Sequence, residues 1–205
     1  MAGLFERLLG PIAVKDGSGL LGLFPVGRFR IYSVAGNLPH RSEADWRLQL
    51  SGLVDRPGEL TMVELRALPV ASLVRDFQCV TGWRVPSVRW RGVRLADVLD
   101  RAGVQPGATT VRFTSFDGLY TETLSLEQAR RGDVLVAYEM DGSPLSSAHG
   151  GPVRLYVAPM YGYKSLKWLE AIELTGNIEP GYWEVRGYDT DAWIGRSNGR
   201  SDNPV

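Results

Sequence analysis

The chain has 205 residues, 44% of them hydrophobic and 22% charged, which is ordinary usage for a globular protein and suits one domain with short appendages. Its 23 basic residues equal its 23 acidic ones, and this net charge of zero argues against a nucleic-acid partner, because nucleic-acid binders need a basic excess to displace counterions from phosphates. The single cysteine excludes an internal disulfide and the paired-cysteine motifs of iron–sulfur, zinc-finger and covalent haem sites.

The sequence contains no signal for membrane insertion or export. No stretch approaches the ~18 consecutive apolar residues of a membrane-spanning helix. Residues 1–11 lack the basic, apolar and small-residue order of a secretory signal, and they contain no twin arginine. As written, the sequence therefore predicts a cytoplasmic protein, or a periplasmic one whose leader has been removed.

The chain begins with a Gly-rich part of weak periodicity. Residues 1–45 are predicted to form an arm that packs on a single domain made by residues 46–205. Apolar residues alternate with polar ones from Trp46, which predicts a half-buried strand that ends at Gly52. The segment Thr61–Glu64 then has a capping-box pattern, which predicts a short helix.

A strand and a helix are predicted on either side of the cysteine loop. Residues 73–79 form a predicted strand that has the only cysteine at its end. Residues 80–92 are rich in Trp, Arg, Gly and Pro and are predicted to be a loop. From Leu95, apolar residues fall at i, i+3, i+4 and i+7, and Gly103 is placed to stop the resulting helix.

The second half of the chain predicts further strands and one more short helix. Asp117-Gly118 is predicted to turn a hairpin between two strands, and a second capping box at Ser125–Gln128 opens a helix closed by Gly132. Strands are predicted over residues 109–115, 119–124, 134–140, 153–157 and 168–174. Short helices scattered among many strands predict an α+β domain with mixed β-sheets, and the absence of a GxGxxG motif removes support for a Rossmann nucleotide site.

Cys79 is the first candidate for chemistry. A lone cysteine most often only fills a core, since free cysteine is among the most buried residue types. This one lies where a strand pattern passes into a loop, and a nearby arginine would favour its thiolate. The candidate arginines are Arg75, Arg84, Arg89 and Arg91. A thiolate suits a transition metal, and because no CxxC partner or His cluster accompanies it, a cofactor would have to supply the other ligands.

Two other segments suggest anion binding. In His149-Gly-Gly-Pro-Val-Arg154 the glycines allow close approach to a ligand and the arginine can bind phosphate bidentately, although a surface loop with a solvated His and Arg explains it equally well. The segment Tyr161-Gly-Tyr-Lys-Ser-Leu-Lys-Trp168 has two lysines three residues apart. With its serine and glycine it looks like a phosphate cradle, but it is too short for a Walker loop.

Five sequence blocks, taken together in order, resemble the molybdopterin-binding domain of the sulfite oxidase superfamily. They begin at Cys79, Trp90, Ala137, His149 and Tyr161. This superfamily includes sulfite oxidases, assimilatory nitrate reductases and the bacterial methionine-sulfoxide reductase catalytic subunit. The resemblance covers about residues 28–190, and it implies the fold of that domain.

The resemblance implies roles for individual residues. Cys79 matches the cysteine that ligates molybdenum, with the pterin dithiolene supplying two further sulfurs. The positions that match cofactor contacts are Tyr32, Asn37, Ser115, Asp117, His149, Arg154, Tyr163, Lys164, Ser165, Leu166 and Lys167. Tyr188 matches a tyrosine beside the metal, although an aromatic packed in a C-terminal tail is an equal alternative. Arg84 is a candidate for the substrate pocket.

Two departures from the sulfite oxidases leave the substrate open. Ala35 stands where those enzymes carry an arginine that helps hold the oxyanion substrate, and the cysteine block reads Cys-Val-Thr-Gly-Trp-Arg instead of Cys-Ala-Gly-Asn-Arg-Arg. Arg84 is the residue that would restore a positive charge to the pocket. The expected substrate is therefore sulfite or a compound of the sulfoxide and N-oxide class.

The implied function is a two-electron transfer of an oxygen atom at one molybdenum centre. The expected cofactor is molybdenum-molybdopterin, in the mononucleotide form rather than the dinucleotide form. Because the sequence has no motif for a second redox centre, electrons would pass to or from a separate haem or flavin partner, either soluble or membrane-bound. Two alternatives stay open: a non-catalytic pterin- or anion-binding module of the same fold, and a thiol enzyme that would need Cys79 and His149 within hydrogen-bonding reach.

Overall fold

The computed structural model describes residues 29–202, so the first 28 residues of the predicted arm lie outside the described residues. The strands are β1 (Arg47–Gly52), β2 (Gly58–Thr61), β3 (Val70–Gln78), β4 (Arg84–Arg94), β5 (Thr110–Ser115), β6 (Thr121–Ser125), β7 (Val134–Met140), β8 (Ser143–Pro144), β9 (Arg154–Val157) and β10 (Leu169–Thr175). The α-helices are α1 (Met62–Arg66), α2 (Leu95–Ala102) and α3 (Leu126–Ala129). Short 3-10 helices cover Ser147–His149, Gly162–Lys164 and Glu184–Arg186.

The strands form two five-stranded sheets. The first has the order β2-β1-β10-β5-β6, in which β1 and β10 are parallel and the other neighbours are antiparallel. The second has the order β3-β4-β7-β8, with β9 also paired to β7, and all its pairs are antiparallel. Mixed pairing with a few short helices confirms the predicted α+β class. Among residues 29–202, no helix is long and apolar enough to cross a bilayer.

The helices form where the sequence predicts them, because their signals are local. The Thr61 hydroxyl accepts a hydrogen bond from the Glu64 backbone N–H, and the Glu64 side chain accepts one from the Thr61 backbone N–H. Ser125 and Gln128 form the same reciprocal pair. Helix α2 buries one apolar stripe and ends at Gly103, whose φ of 72° suits a glycine. The stripe consists of Leu95, Val98, Leu99 and Ala102.

The second sheet is buried on both faces. Along β7, Val134 and Val136 point into the main hydrophobic core, which the first sheet and α2 share. Leu135 and Ala137 point into a smaller cluster on the opposite face. Phe29 covers that smaller cluster, so the described end of the arm closes it. Two buried faces explain why β7 reads as a nearly continuous apolar run instead of an alternation.

The predicted loop over residues 80–92 is wrong for most of its length, because β4 begins at Arg84. The register between β3 and β4 shifts opposite Asp76, whose carboxylate accepts a hydrogen bond of 2.9 Å from the Ser87 backbone. This bulge adds a residue, so the buried Val85 and Val88 are three apart and the alternation of a strand is lost. A pattern search for period two therefore misses β4.

Gly92 permits the close approach of β4 to β7. A methyl group there would meet the carbonyl oxygen of Val136 and lie 2.7 Å from the Cα of Ala137. We expect Gly92→Ala to lower the free energy of unfolding by about 2–3 kcal/mol, since both contacts are backbone. Gly132→Ala is the matched control, because nothing lies within 4 Å of its added methyl group. Urea unfolding measures both, and equal stability of the two variants would contradict the close approach.

Candidate functional site

Cys79 lies in a tight turn between β3 and β4. Its backbone N–H donates to the carbonyl of Trp83 (2.9 Å), and the N–H of Gly82 donates to the Cys79 carbonyl (3.0 Å). Its Sγ atom lies 3.2 Å from the Oγ1 atom of Thr81, within hydrogen-bonding distance. The cysteine therefore follows directly on a strand, as predicted, and is held by backbone on both sides.

Burial raises the pKa of the Cys79 thiol, and the Thr81 hydrogen bonds and two arginines oppose this effect. These arginines are Arg200 and Arg30, which come from opposite ends of the described chain. The Nη2 atom of Arg200 lies 3.0 Å from where a side chain on Gly82 would begin. Sequence reasoning missed both arginines, because only tertiary packing brings them to the turn.

The arginines predicted from their nearness in sequence are placed differently. Arg84 donates to the side chain of Gln78 (2.6 Å) and forms an ion pair with Asp76 (3.5 Å). Arg91 forms an ion pair with Glu139 (3.3 Å) on the solvent side. Arg75 and Arg89 are exposed as well. The positive charge that acts on Cys79 therefore comes mainly from Arg200 and Arg30, and not from the arginines nearby in sequence.

Arg154 is a buried guanidinium without a carboxylate partner among the described residues. It donates to the carbonyls of His149 (2.8 Å) and Ser165 (2.7 Å). The rings of Phe77 and Trp90 face it, with centroids 5.7 and 5.4 Å from Cζ. Burial lowers the pKa of Arg154 to about 10. Carbonyls and rings stabilise this charge but do not neutralise it, so the surroundings favour an anion.

Lys167 and His149 lie beside Arg154. The Lys167 ammonium donates to the carbonyl of Tyr32 and lies 4.2 Å from the ring centroid of Trp168. Burial lowers its pKa to about 7, the charge of Arg154 adding to the effect. Burial likewise lowers the pKa of His149 to about 4, with Arg154 and Lys167 contributing. We call Arg154, Lys167 and His149 the basic cluster; its arginine and lysine suit phosphate binding.

The glycine pair between His149 and Arg154 permits close contacts within the protein. A side chain on Gly150 would lie 2.7 Å from the Cβ of Lys167, and one on Gly151 would meet the carbonyl of Leu145. The sequence pattern predicts that these glycines allow a ligand to approach. The structure shows that each already contacts another part of the chain, which places Lys167 against the loop.

Aromatic rings connect the cysteine turn with the basic cluster. Trp83 stacks with Phe77 (centroids 5.7 Å apart) and with Tyr32 (6.4 Å). Phe29 meets His149 edge to face at 4.9 Å. These contacts link the turn that holds Cys79 to Tyr32, His149, Arg154 and Lys167. We call Phe29, Tyr32, Phe77 and Trp83 the aromatic bridge.

Some buried polar atoms at this site make no hydrogen bond with described residues. They are Ser33 Oγ in the arm, Trp83 Nε1 in the aromatic bridge and Asp117 Oδ2 in the β5–β6 hairpin. Asp117 also lies near enough to Lys167 to raise its pKa. Leaving such atoms unpaired costs free energy, and a polar ligand bound here would offer them partners.

The other predicted cofactor residues of the β5–β6 hairpin, the segment 165–166 and the arm lie in different surroundings. Ser115 accepts from the Asp117 backbone (3.1 Å) and shapes the hairpin. The Ser165 hydroxyl accepts from Val157 (2.9 Å), and Leu166 lies in the main core. Asn37 is exposed in a turn of the arm.

Tyr163, Tyr188 and Lys164 lie on the side of the C-terminal tail. Tyr163 donates its hydroxyl to the Asp189 carbonyl (2.6 Å), and burial raises its pKa far above the ordinary value. The ring of Tyr188 packs on Tyr163 at 5.3 Å, and it also contacts Trp183. The Lys164 ammonium is wholly buried among carboxylates and a carbonyl, so its side chain has a different role from the cofactor contact predicted for it.

A metal here would need ligands from outside the protein. Among residues 29–202, no group of three or more His, Cys, Asp or Glu side chains is placed to hold a metal ion. Cys79 alone offers one soft sulfur. The donor set therefore fits a metal that arrives with most of its ligands already attached.

Comparison with known proteins points the same way. The family described as oxidoreductase molybdopterin binding domain matches residues 35–183. The oxidoreductase YuiH of Bacillus subtilis is 37% identical over 77% of this chain and 81% of its own length. Sulfite oxidase of Arabidopsis thaliana is 30% identical over 70% of this chain, which spans only 45% of that enzyme. The sulfane dehydrogenase SoxCD of Paracoccus pantotrophus has the same fold, with a TM-score of 0.66 and 21% identity over 76% of this chain and 43% of its own.

The lowered pKa of Lys167 predicts how the ligand-free protein responds to pH. Between about pH 7 and the ordinary lysine value of 10.5, the unfolded chain binds more protons at this position than the folded one. The contribution of Lys167 to the free energy of unfolding should therefore rise with pH across that window. Lys167→Met should remove this slope, whereas Arg89→Met serves as a control for loss of an exposed cation. Urea unfolding at pH 7, 8 and 9 measures the slope of the free energy of unfolding against pH. An unchanged slope in Lys167→Met would contradict the lowered pKa of Lys167.

Proposed function

Because the chain belongs to the oxidoreductase molybdopterin binding domain family and is thus a sulfite oxidase-like oxidoreductase, we propose that it transfers an oxygen atom and two electrons between a molybdenum centre and a small substrate. The observation that carries this proposal is that the aromatic bridge links a cysteine turn to a basic cluster without a neutralising carboxylate. The cysteine turn suits a metal and the basic cluster suits a phosphate.

The residues of the site fit molybdenum-molybdopterin in chemical character. Arg154 and Lys167 would hold its phosphate, and Ser33 Oγ and Trp83 Nε1 are the unpaired buried atoms that would meet its polar edges. One compact basic cluster suits the single terminal phosphate of the mononucleotide form. Cys79 would be the protein ligand of the metal. When bound, the cofactor supplies the metal that exchanges an oxygen atom and two electrons with the substrate.

The protein's part at the metal end is to provide a thiolate. A thiol must lose its proton to become a ligand, and burial of Cys79 alone opposes that loss. The hydrogen bonds with Thr81 and the charges of Arg200 and Arg30 favour the thiolate. At the other end, an anion beside Lys167 would raise the pKa of that lysine again, so binding takes up a proton there.

The surroundings of Cys79 also support a substrate class. Ala35 removes the arginine that sulfite oxidases place in the arm, but Arg200 and Arg30 contribute positive charge at the same turn. We therefore assign a small substrate with a polar, electron-rich oxygen, of the sulfite or the sulfoxide and N-oxide class. Arg84 and Tyr188 are the further residues proposed to face it.

Electrons need a second protein in this proposal. The sequence has no motif for haem or iron–sulfur binding, so we assign a separate haem or flavin partner, soluble or membrane-bound, as the source or acceptor of the two electrons. A rival proposal is that the fold binds a pterin or another anion without turnover. The same basic cluster would serve both, and only the content and the reactivity of the purified protein separate them.

The cofactor content provides the first test. Protein purified from a host that makes molybdenum cofactor should carry about one molybdenum and one pterin per chain, as measured by metal analysis and by pterin fluorescence after denaturation. That protein should turn over at least one of sulfite, a methyl sulfoxide, an N-oxide or nitrate with an artificial electron carrier. Pterin without turnover on the whole panel would favour the binding module, and absence of both molybdenum and pterin would contradict both proposals.

Variants at the two ends of the site should lose different properties, turnover at one end and pterin binding at the other. Cys79→Ala should lower turnover by more than about 100-fold, which exceeds the usual effect of mutating a residue that only supports a metal ligand. The variant should keep pterin because the phosphate is held elsewhere. Arg154→Met should lose the pterin itself. Pterin fluorescence and turnover are measured on each, with Arg89→Met as an exposed arginine control. Wild-type turnover in Cys79→Ala would make this cysteine a packing residue only.

A further inference from the structure

We propose that Lys164, Glu122 and Glu184 form a buried ionic cluster that positions the segment 165–167 for cofactor binding without touching the cofactor. The inference rests on the proposed function, since it concerns the same site. It separates two lysines that lie three residues apart in one motif and assigns them opposite roles. Lys167 faces the ligand, and Lys164 is a positioning residue.

The contacts of Lys164 leave it no donor for a ligand. Its ammonium is fully buried and donates to Glu122 Oε1 (2.7 Å), to the Thr123 carbonyl (2.6 Å) and to Glu184 Oε1. An ammonium has three N–H donors, and these three acceptors use all of them. Lys167, in contrast, has no carboxylate in ion-pair contact among residues 29–202.

The cluster ties three separate parts of the chain together. Glu122 and Thr123 belong to β6, Lys164 ends the 3-10 helix Gly162–Lys164, and Glu184 begins the last 3-10 helix. The second carboxylate oxygen of Glu184 accepts from the Gly181 backbone (2.6 Å), which fixes the tail as well. The cluster therefore anchors the tail that carries Tyr188 to the segment that carries Lys167.

Lys164 is joined through the next three residues of the chain to the atoms that face the ligand. Ser165 is the next residue, and its carbonyl accepts from the Arg154 guanidinium (2.7 Å). Lys167 follows two residues later and packs over Gly150. Consecutive Cα atoms are about 3.8 Å apart, so Lys164 is joined to these groups by a short length of chain, and a shift of Lys164 displaces the backbone that carries them.

The charge balance of the cluster depends on Glu122. Burial raises the pKa of this carboxyl to about 8, against the opposing charge of Lys164, and its Oε2 atom has no hydrogen-bond partner among the described residues. At pH 7 Glu122 is therefore largely protonated, so it adds little negative charge beside Lys164. The titratable groups that face it are Lys164, Glu184, Tyr120 and Tyr163. Ionisation above pH 8 would add an uncompensated buried charge.

The test uses the rate of pterin release from the purified holoprotein, followed by fluorescence between pH 6.5 and 9. Lys164→Met should accelerate release by roughly tenfold or more, because it leaves the Glu184 carboxylate buried and unpaired. Lys164→Met/Glu184→Gln should recover much of the retention, since it removes that charge. A cofactor contact by Lys164 predicts no recovery, so release as fast as in Lys164→Met alone would overturn the inference.

A second variant keeps the inference testable if Lys164→Met fails to fold. Wild-type release should accelerate above about pH 8 as Glu122 ionises, and Glu122→Gln should remove that rise while the exposed control Glu43→Gln keeps it. The same rise in Glu122→Gln as in the wild type would overturn the inference. Wild-type protein that carries no pterin at all would instead count against the proposed function.

Discussion

The buried charge of Arg154 is the constraint on which the rest of the site depends. Its guanidinium lies on the arm-covered face of the second sheet, where the carbonyls of His149 and Ser165 and the rings of Phe77 and Trp90 hold it. Burying a cation without a carboxylate is costly, and these partners offset only part of that cost. Three separate segments must therefore converge on one side chain, and their convergence creates a site for an anion.

The folds of the two sheets explain how the cysteine reaches that site. The bulge between β3 and β4 lies next to Phe77, which faces Arg154 and stacks on Trp83, while Cys79 lies in the turn that follows. The arm closes the same face with Phe29 and Tyr32, and the Tyr32 carbonyl accepts from Lys167. The cysteine turn and the basic cluster are thus joined through aromatic packing, which suits the proposed cofactor with a metal at one end and a phosphate at the other.

Sequence reasoning succeeded where the determining interactions are local. The capping boxes at Thr61 and Ser125 and the apolar stripe of α2 each depend on residues within one or two turns, and all three appear as predicted. It failed over β4, where one inserted residue destroys the alternation. It also chose arginines close to Cys79 in sequence, whereas the charges that act most on the thiol belong to Arg30 and Arg200.

The sequence by itself determined the fold class, the family and the identity of the cysteine and of the basic residues, because ordered motifs and local periodicity survive without coordinates. Only the tertiary structure decided what each basic residue does. Lys164 and Lys167 belong to one short motif, yet Lys164 is bound by Glu122 and Glu184 and Lys167 lies beside Arg154. The physical reason is that the charge environment of a side chain is set by residues distant in sequence, which here come from β6, the C-terminal tail and the arm.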